Sequence, residues 1–332
     1  MPIVTPTPEN ITHAAALLRR GDLVAFPTET VYGLGANAFD EHAVQKIFAI
    51  KRRPTNNPLI IHIGHREQLS SVVDTGRMSA EQEKLVAKLA DFWPGPLSLV
   101  LPAHAQIPKA ATGGRDTVAV RIPSHPVARA LLEACAFPIA APSANPSTYV
   151  SPTTAAHVND GLGAEVPLIL DGGPCPVGLE STILSLIHQP PLLLRAGAVT
   201  LEQLSAKVGT VQQPRPAEVS ESPLAPGMLK EHYAPHTPVA LRGSISPSDY
   251  PTKVGLISFG DSDQARLEFA FNSVNELSQS GNVQEIAPKL FAALRDMDQR
   301  GLDMIVVDKC EQTGLGLAIM DRLLRASARS QK

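Results

Sequence analysis

The sequence predicts an α/β protein, with a mixed or parallel sheet covered by helices and a smaller α/β domain after it. Three observations carry that expectation. Short apolar runs alternate with stretches of helical period over about the first two hundred residues. A proline-rich tract without apolar period interrupts the chain at 209–241. Beyond it, alternation of strand and helix resumes.

Taken in chain order, Leu23 to Phe26 is the first expected strand, closed by Pro27. Leu59 to Ile63, Leu97 to Leu101, Val118 to Ile122 and Ile139 to Ala141 follow, then Leu168 to Leu170, Thr182 to Leu186 and Leu192 to Leu194. Helices are expected where apolar residues recur at helical spacing: Val44, Ile47 and Phe48; Leu85 and Leu89 with Phe92; Val127, Ala130, Leu131 and Ala134. After the tract, Lys253 to Ser258 and Met304 to Asp308 read as buried strands, with helices near Pro288 to Arg300 and Ala318 to Ala328. The expected division is 1–208 for the main domain, 209–241 for a linker and 242–332 for the second domain.

Composition narrows the function classes. The chain has 332 residues, a formal net charge of −3, 43% hydrophobic and 18% charged residues, an ordinary globular profile. Disordered and fibrous classes are excluded, and a charge near zero argues against a strongly electrostatic nucleic-acid binder. No apolar run approaches a membrane span of roughly 18 residues and the amino terminus lacks a signal-peptide pattern, so a cytoplasmic protein is expected. Cys135, Cys175 and Cys310 form no Cys-x-x-Cys pair, which supports neither a disulfide framework nor a zinc ribbon.

Chemistry-bearing residues cluster at strand ends, where α/β folds place ligand sites. Pro27-Thr28-Glu29-Thr30-Val31-Tyr32 follows the first strand and runs into Gly33-Leu34-Gly35. The stretch Gly33 to Ala38 formally fits G-x-G-x-x-A, but six residues separate it from the strand and no acidic residue stands about 20 further on. The dinucleotide reading therefore yields to a tight turn of small residues. Lys51-Arg52-Arg53-Pro54 ends a helix, where the dipole alone favours cations. Three in a row exceeds what a cap needs, and at a sheet mouth they would bind a polyphosphate. Ser143 and Asn145 stand together after another buried strand, either as a turn or as uncharged groups that position a phosphate or carboxylate. Strand alternation places Thr117, Ala119 and Arg121 on one side. A buried Arg121 needs a partner, either an internal carboxylate or a ligand anion, and Ser181 and Arg195 raise the same question. His62 and His65, three apart at a strand end, point to opposite faces and do not make a metal pair. His232-Tyr233 lies in the proline-rich tract, where a ligand lid is a natural role.

Read together, Phe26 to Gly35, Lys51-x-Arg53-Pro54 with Asn57-Pro58-Leu59-Ile60, Pro94-Gly95-Pro96, Val120-Arg121-Ile122-Pro123 and Ala141-Pro142-Ser143-Ala144-Asn145 closely resemble the Sua5/YrdC family, the threonylcarbamoyl-adenylate synthases, over about residues 10 to 210. Pro226-Gly227-Met228, His232-Tyr233-Ala234-Pro235, Thr313-Gly314-Leu315-Gly316 and Ala318 to Leu323 extend the likeness to the longer, two-domain Sua5 form. The resemblance implies a YrdC-like twisted mixed sheet with helices, plus a smaller C-terminal Rossmann-like α/β domain. It implies condensation of L-threonine, bicarbonate and ATP to threonylcarbamoyl-AMP and pyrophosphate, for t6A formation at position 37 of tRNAs that read codons beginning with A. By motif position, Thr30, His62, Arg121, Ala141 and Ser181 would hold threonine. Arg53, Asn57, Thr117, Ser143, Ser151, Arg195 and a residue of the His232-Tyr233 pair would hold ATP. Lys51, Arg53, Ser143 and Asn145 correspond to the set around the reacting phosphates. Mg²⁺ would come with ATP, with no direct protein ligand and no organic cofactor. A downstream t6A transferase complex and weak tRNA binding are the implied partners, with no membrane.

Two other readings are open to the sequence. A carbamoyl-adenylating domain of hydrogenase-maturation type shares the fold, but would be expected beside zinc-finger modules. An RNA-binding module would use Lys46, Lys51, Arg52 and Arg53 as a basic surface. The Gly314-Leu315-Gly316 segment is expected to be a packing turn rather than a nucleotide turn.

Overall fold

The structure, a computed structural model, describes residues 3–213, 225–226 and 232–328. Pro214, Pro216, Pro223, Gly227 and Met228 of the proline-rich tract lie outside the described residues.

Ten strands build the larger sheet: β1 (Ile3–Val4), β2 (Val24–Phe26), β3 (Gly33–Asn37), β4 (Ile60–His62), β5 (Leu97–Pro102), β6 (Thr117–Arg121), β7 (Ile139–Ala140), β8 (Leu168–Leu170), β9 (Thr182–Ser185) and β10 (Leu192–Arg195). Their order is β1-β8-β2-β3-β7-β4-β6-β5-β9-β10, and parallel and antiparallel pairs alternate irregularly along it. The expected mixed sheet is thus present. Its strands are short and, apart from the edge strand β1, mostly apolar and buried, as helix-covered strands must be.

Several elements differ from expectation. Gly33–Asn37, expected as a turn, is a strand antiparallel to both β2 and β7. Neither Gly33 nor Gly35 has positive φ, so turn geometry is not what they supply. A Cβ on Gly35 would stand 2.9 Å from both the Phe26 ring and Ile139 Cγ2. Glycine is there to let β3 pass under those side chains. The helix Pro8–Arg19 was also unanticipated, although Thr7 before Pro8 is a start signal: Thr7 Oγ1 accepts from Asn10 N at 3.3 Å. It packs Ala14, Leu17 and Leu18 with Leu131 and Leu132 of the helix Pro126–Cys135. Short helices at Ala155–Leu162 and Leu201–Val208 were likewise missed.

The second sheet holds β11 (Val239–Leu241), β12 (Val254–Ser258), β13 (Ser273–Glu276) and β14 (Met304–Val307), all parallel, in the order β11-β14-β12-β13. Val239–Leu241, expected at the end of the linker, is therefore a strand. The helix expected from Pro288 runs Val283–Asp298 with Pro288 inside it, and the last helix is Leu315–Ser327. A Cβ on Gly316 would lie 2.0 Å from the Glu311 carbonyl oxygen, so this glycine serves close packing. No described helix is long and apolar enough to cross a membrane.

The two sheets do not stand apart. Val31, Val150, Leu179 and Tyr233 join the apolar cluster of the second domain with Phe291 and Leu323. Polar ties cross the same seam: Tyr149 Oη donates to Asp298 at 2.7 Å and Arg295 Nη2 to the Val150 carbonyl at 2.5 Å.

Candidate active site

A cleft opens where the ends of β4, β7 and β9 meet the loop after β2. Thr30, His62, Arg121, Ala141 and Ser181 line it together with Arg53, Ser143, Arg195, His232 and Tyr233. Residues far apart in sequence arrive by strand register. His62 pairs with Arg121 across β4 and β6, and an isolated bridge sets Gly33 against Ser143.

The loop after β2 is shaped by Thr28. Its Oγ1 donates to the Val31 carbonyl at 2.6 Å and accepts from Thr30 N and Val31 N at 3.2 Å. That turn carries Glu29 and Thr30 to Arg121. The guanidinium donates Nε to the Gly95 carbonyl at 3.1 Å and Nη1 to Thr30 Oγ1 at 3.0 Å, while Nη2 pairs with Glu29 Oε1 at 2.6 Å. The internal carboxylate partner left open by the sequence is therefore Glu29. Burial would raise the Glu29 carboxyl, but Arg121 and hydrogen bonds outweigh it and hold it below its ordinary value. Burial, then Arg121, pushes His62 down to about 3, so its imidazole is neutral.

Arg53 sits just beyond the end of the helix Glu41–Lys51, whose C-cap Arg52 has φ 50°. It is folded into its own loop, donating to the Asn57 carbonyl at 3.1 Å, Asn57 Oδ1 at 2.6 Å and the Pro58 carbonyl at 2.8 Å. Asn57 thus acts by fixing Arg53 and does not line the cleft. Arg195, at the end of β10, clasps Ser181 through its carbonyl at 2.9 Å and its Oγ at 3.0 Å, and reaches the Pro226 carbonyl at 3.2 Å. Burial, then Arg195, lowers Arg53 to about 9. The ion pairs here, Arg121–Glu29 and Arg322–Glu180, leave Arg53 and Arg195 without a carboxylate partner among the described residues. Two close buried cations lacking counter-charge are costly alone and suit a polyanion.

Lys51 is placed differently from expectation. It lies behind the cleft wall, where its ammonium donates to the Ser143 carbonyl at 2.6 Å and to the Asn145 carbonyl. Burial, then Arg53, pushes it well below the ordinary lysine value. Asn145 is also behind the wall, its amide bonded to the Pro146 and Tyr149 carbonyls. Lys51 and Asn145 therefore shape the loop that presents Ser143. Of the four cations in the basic-surface reading, Lys51 and Arg53 are buried, while Lys46 and Arg52 are exposed. Thr117 stands at the far end of β6 beside Pro102 and does not reach the cleft. Ser151 donates to Glu180 Oε1 at 2.5 Å behind it.

His232 and Tyr233 line the cleft beside Arg53 and Arg195. Burial, then Arg53 and Lys51, holds His232 far below the ordinary histidine value, so it too is neutral. Tyr233 adopts φ 62° and stacks on Phe291 at 5.6 Å between ring centroids. Glu180 also lines the cleft and was missed; one acidic residue before a strand is no signal in sequence. No cluster of three or more His, Cys, Asp or Glu suited to a metal occurs among the described residues.

Fold and cleft define a class: a mixed-sheet α/β protein with a covered cationic cleft, backed by a small parallel-sheet domain. Comparison with known proteins agrees with that class. A Sua5/YciO/YrdC family model described as "Telomere recombination" matches residues 16–197, and one described as "Threonylcarbamoyl-AMP synthase, C-terminal domain" matches 199–328. The chain belongs to the Sua5/YrdC family, in its long two-domain form. It is 44% identical over 330 residues to a threonylcarbamoyl-AMP synthase of Pyrococcus abyssi, covering 95% of this chain and 93% of that one. A synthase of the same name from Bacillus subtilis is 40% identical, with 96% and 92% covered. Among solved structures, P. abyssi Sua5 complexed with L-threonine superposes with a TM-score of 0.87 at 43% identity, covering 97% of this chain and 95% of that one.

Proposed function

We propose that the protein condenses L-threonine, bicarbonate and MgATP to L-threonylcarbamoyl-AMP and pyrophosphate, the intermediate for t6A at position 37 of tRNAs reading codons beginning with A. One observation carries this reading. A single cleft sets the Arg121–Thr30–His62–Ser181 group, suited to a small hydroxy amino acid, against Arg53 and Arg195, which lack carboxylate partners. Full-length likeness to proteins named for that activity supports it.

Threonine's amine attacks carbon dioxide released from bicarbonate, giving a carbamate and a proton. A carbamate oxygen then attacks the α-phosphorus, and the bond to the bridging oxygen breaks as pyrophosphate leaves. No protein nucleophile is needed, so rate comes from positioning and from stabilising developing negative charge. Arg53 and Arg195 face the phosphates, Ser143 offers a hydroxyl, and Arg121 takes the threonine carboxylate while keeping Glu29. His62, held near pKa 3, is too weak a base for the amine and acts as a neutral hydrogen-bonding group. Mg²⁺ enters as part of MgATP. Glu180, a carboxylate lining the cleft, accepts from Ser151 and Arg322.

The covered space holds about 50 Å³, against roughly 300–1,000 Å³ for a cleft that buries an organic ligand. The 232–233 segment would therefore swing out to admit MgATP and close to keep water from the labile adenylate. A t6A transferase would take the product, with tRNA bound weakly if at all by this chain.

The test is pyrophosphate release from MgATP with bicarbonate, with threonine present, omitted, or replaced by serine or alanine. Strict dependence on threonine and bicarbonate is expected. Turnover indifferent to threonine, or dependent on carbamoyl phosphate instead, would overturn the reading in favour of a carbamoyl-adenylating enzyme.

A further inference from the structure

Arg322, from the last helix of the second domain, has no part in the reaction just described, yet it is the largest fully buried side chain among the described residues. A buried guanidinium is tolerated only when its donors are met. Here Nε donates to Glu180 Oε2 at 2.9 Å, Nη1 to Asp321 Oδ2 at 2.6 Å and Nη2 to the Ala196 carbonyl at 2.9 Å. Its face covers the Tyr233 ring, 5.0 Å from the centroid. Glu180, Ala196 and Tyr233 all lie outside the second sheet's own core strands, and two of them, Glu180 and Tyr233, line the cleft.

Both ties lead toward the nucleotide half. The second oxygen of Glu180 accepts from Ser151 Oγ at 2.5 Å, so Glu180 is held from both sides where it lines the cleft beside Arg195 and Tyr233. Tyr233 is held between Arg322 and Phe291, two side chains of the second domain, and its neighbour His232 touches it edge-on at 4.0 Å. Simple adhesion of two domains does not call for this arrangement, since apolar residues of similar volume replace buried ion pairs at little cost or with gain.

We propose that Arg322 is a positioning residue of the ATP site: it fixes Glu180 in the cleft wall and sets the position of His232-Tyr233 by underlying Tyr233. The second domain thereby completes the nucleotide half of the cleft without touching the nucleotide. The inference rests on the ATP and threonine reading above.

The experiment uses the full-length chain as wild type, Arg322→Met, and the double variant Glu180→Leu with Arg322→Met. The double variant removes both charges together, so it keeps the fold even if the single one does not. Each folded protein is assayed for KM of ATP and of threonine, for ATP binding by calorimetry without threonine, and for melting temperature. The expected result is a rise of at least tenfold in both the KM and the Kd of ATP, a threonine KM within twofold of wild type, and a double variant that melts close to wild type. ATP parameters unchanged in the folded double variant, or ATP and threonine KM values raised alike, would overturn the positioning role. A wild type without threonine-dependent turnover would sink the reading beneath it, and the inference with it.

Discussion

Lys51 and Arg53 are two residues apart, and the structure divides their work. Lys51 supports the loop at Ser143–Asn145 from behind, whereas Arg53 faces the cleft. Replacing either by Ala is expected to lower turnover at least tenfold, about 1.4 kcal/mol of barrier. Only Lys51→Ala should also lower stability clearly, by about 1–3 kcal/mol, because it strands buried carbonyls. Pyrophosphate release and urea unfolding on the same preparations check both halves, and equal activity in either variant would remove that residue from the mechanism. His62 gives a pH prediction. Its ordinary value of 6.5 falls to about 3 in the fold, so between these limits the unfolded chain takes up a proton that the folded chain refuses. Stability is therefore full above about pH 6.5 and drains as pH falls toward 3, by up to about 1.4 kcal/mol per unit. Melting temperature followed from pH 7 to 4 should show this slope, and His62→Asn should make it shallower, with His232 and His157, also held down by burial, keeping part of it.

Among the elements, glycines mark where backbone passes closest. A Cβ on Gly35 would press mainly on the Phe26 ring and Ile139 Cγ2, side chains that have some room to yield. One on Gly197 would meet backbone, Thr182 N at 2.4 Å and the Glu180 carbonyl at 2.5 Å, where the β9–β10 hairpin holds Ser181 and Arg195. Gly35→Ala is accordingly expected to cost about 1–3 kcal/mol, and Gly197→Ala more, with loss of turnover. Urea midpoints rank the two, and a Gly197→Ala protein as stable as Gly35→Ala would contradict the backbone clash. Strand β3 also shows why elements go unread: Gly33-Leu34-Gly35 has the composition of a turn, and only the ring of Phe26 lying across it explains a strand. The buried apolar strands and the helix Glu41–Lys51 were legible, because burial on both faces and helical period leave their own patterns.

The whole molecule is two sheets with one shared seam. Tyr233 in the cleft wall leans on Phe291 and Arg322, and Glu180 beside it owes its counter-charge to Arg322. Removing residues 242–332 should therefore lower threonine-dependent turnover at least tenfold, and unchanged turnover in a folded truncation would show that the lid needs no anchor. Most of the polar and cationic residues that line the cleft were visible in the sequence, since such side chains at the ends of apolar strands stand out locally. Their family pattern named the chemistry as well. What only the tertiary structure decided was partnership: Glu29 for Arg121, backbone carbonyls for Lys51, and Glu180 with Tyr233 for Arg322. Those pairings join residues up to 142 positions apart, and a buried charge selects its partner by distance in the folded core, a quantity that neither period nor spacing along the chain encodes.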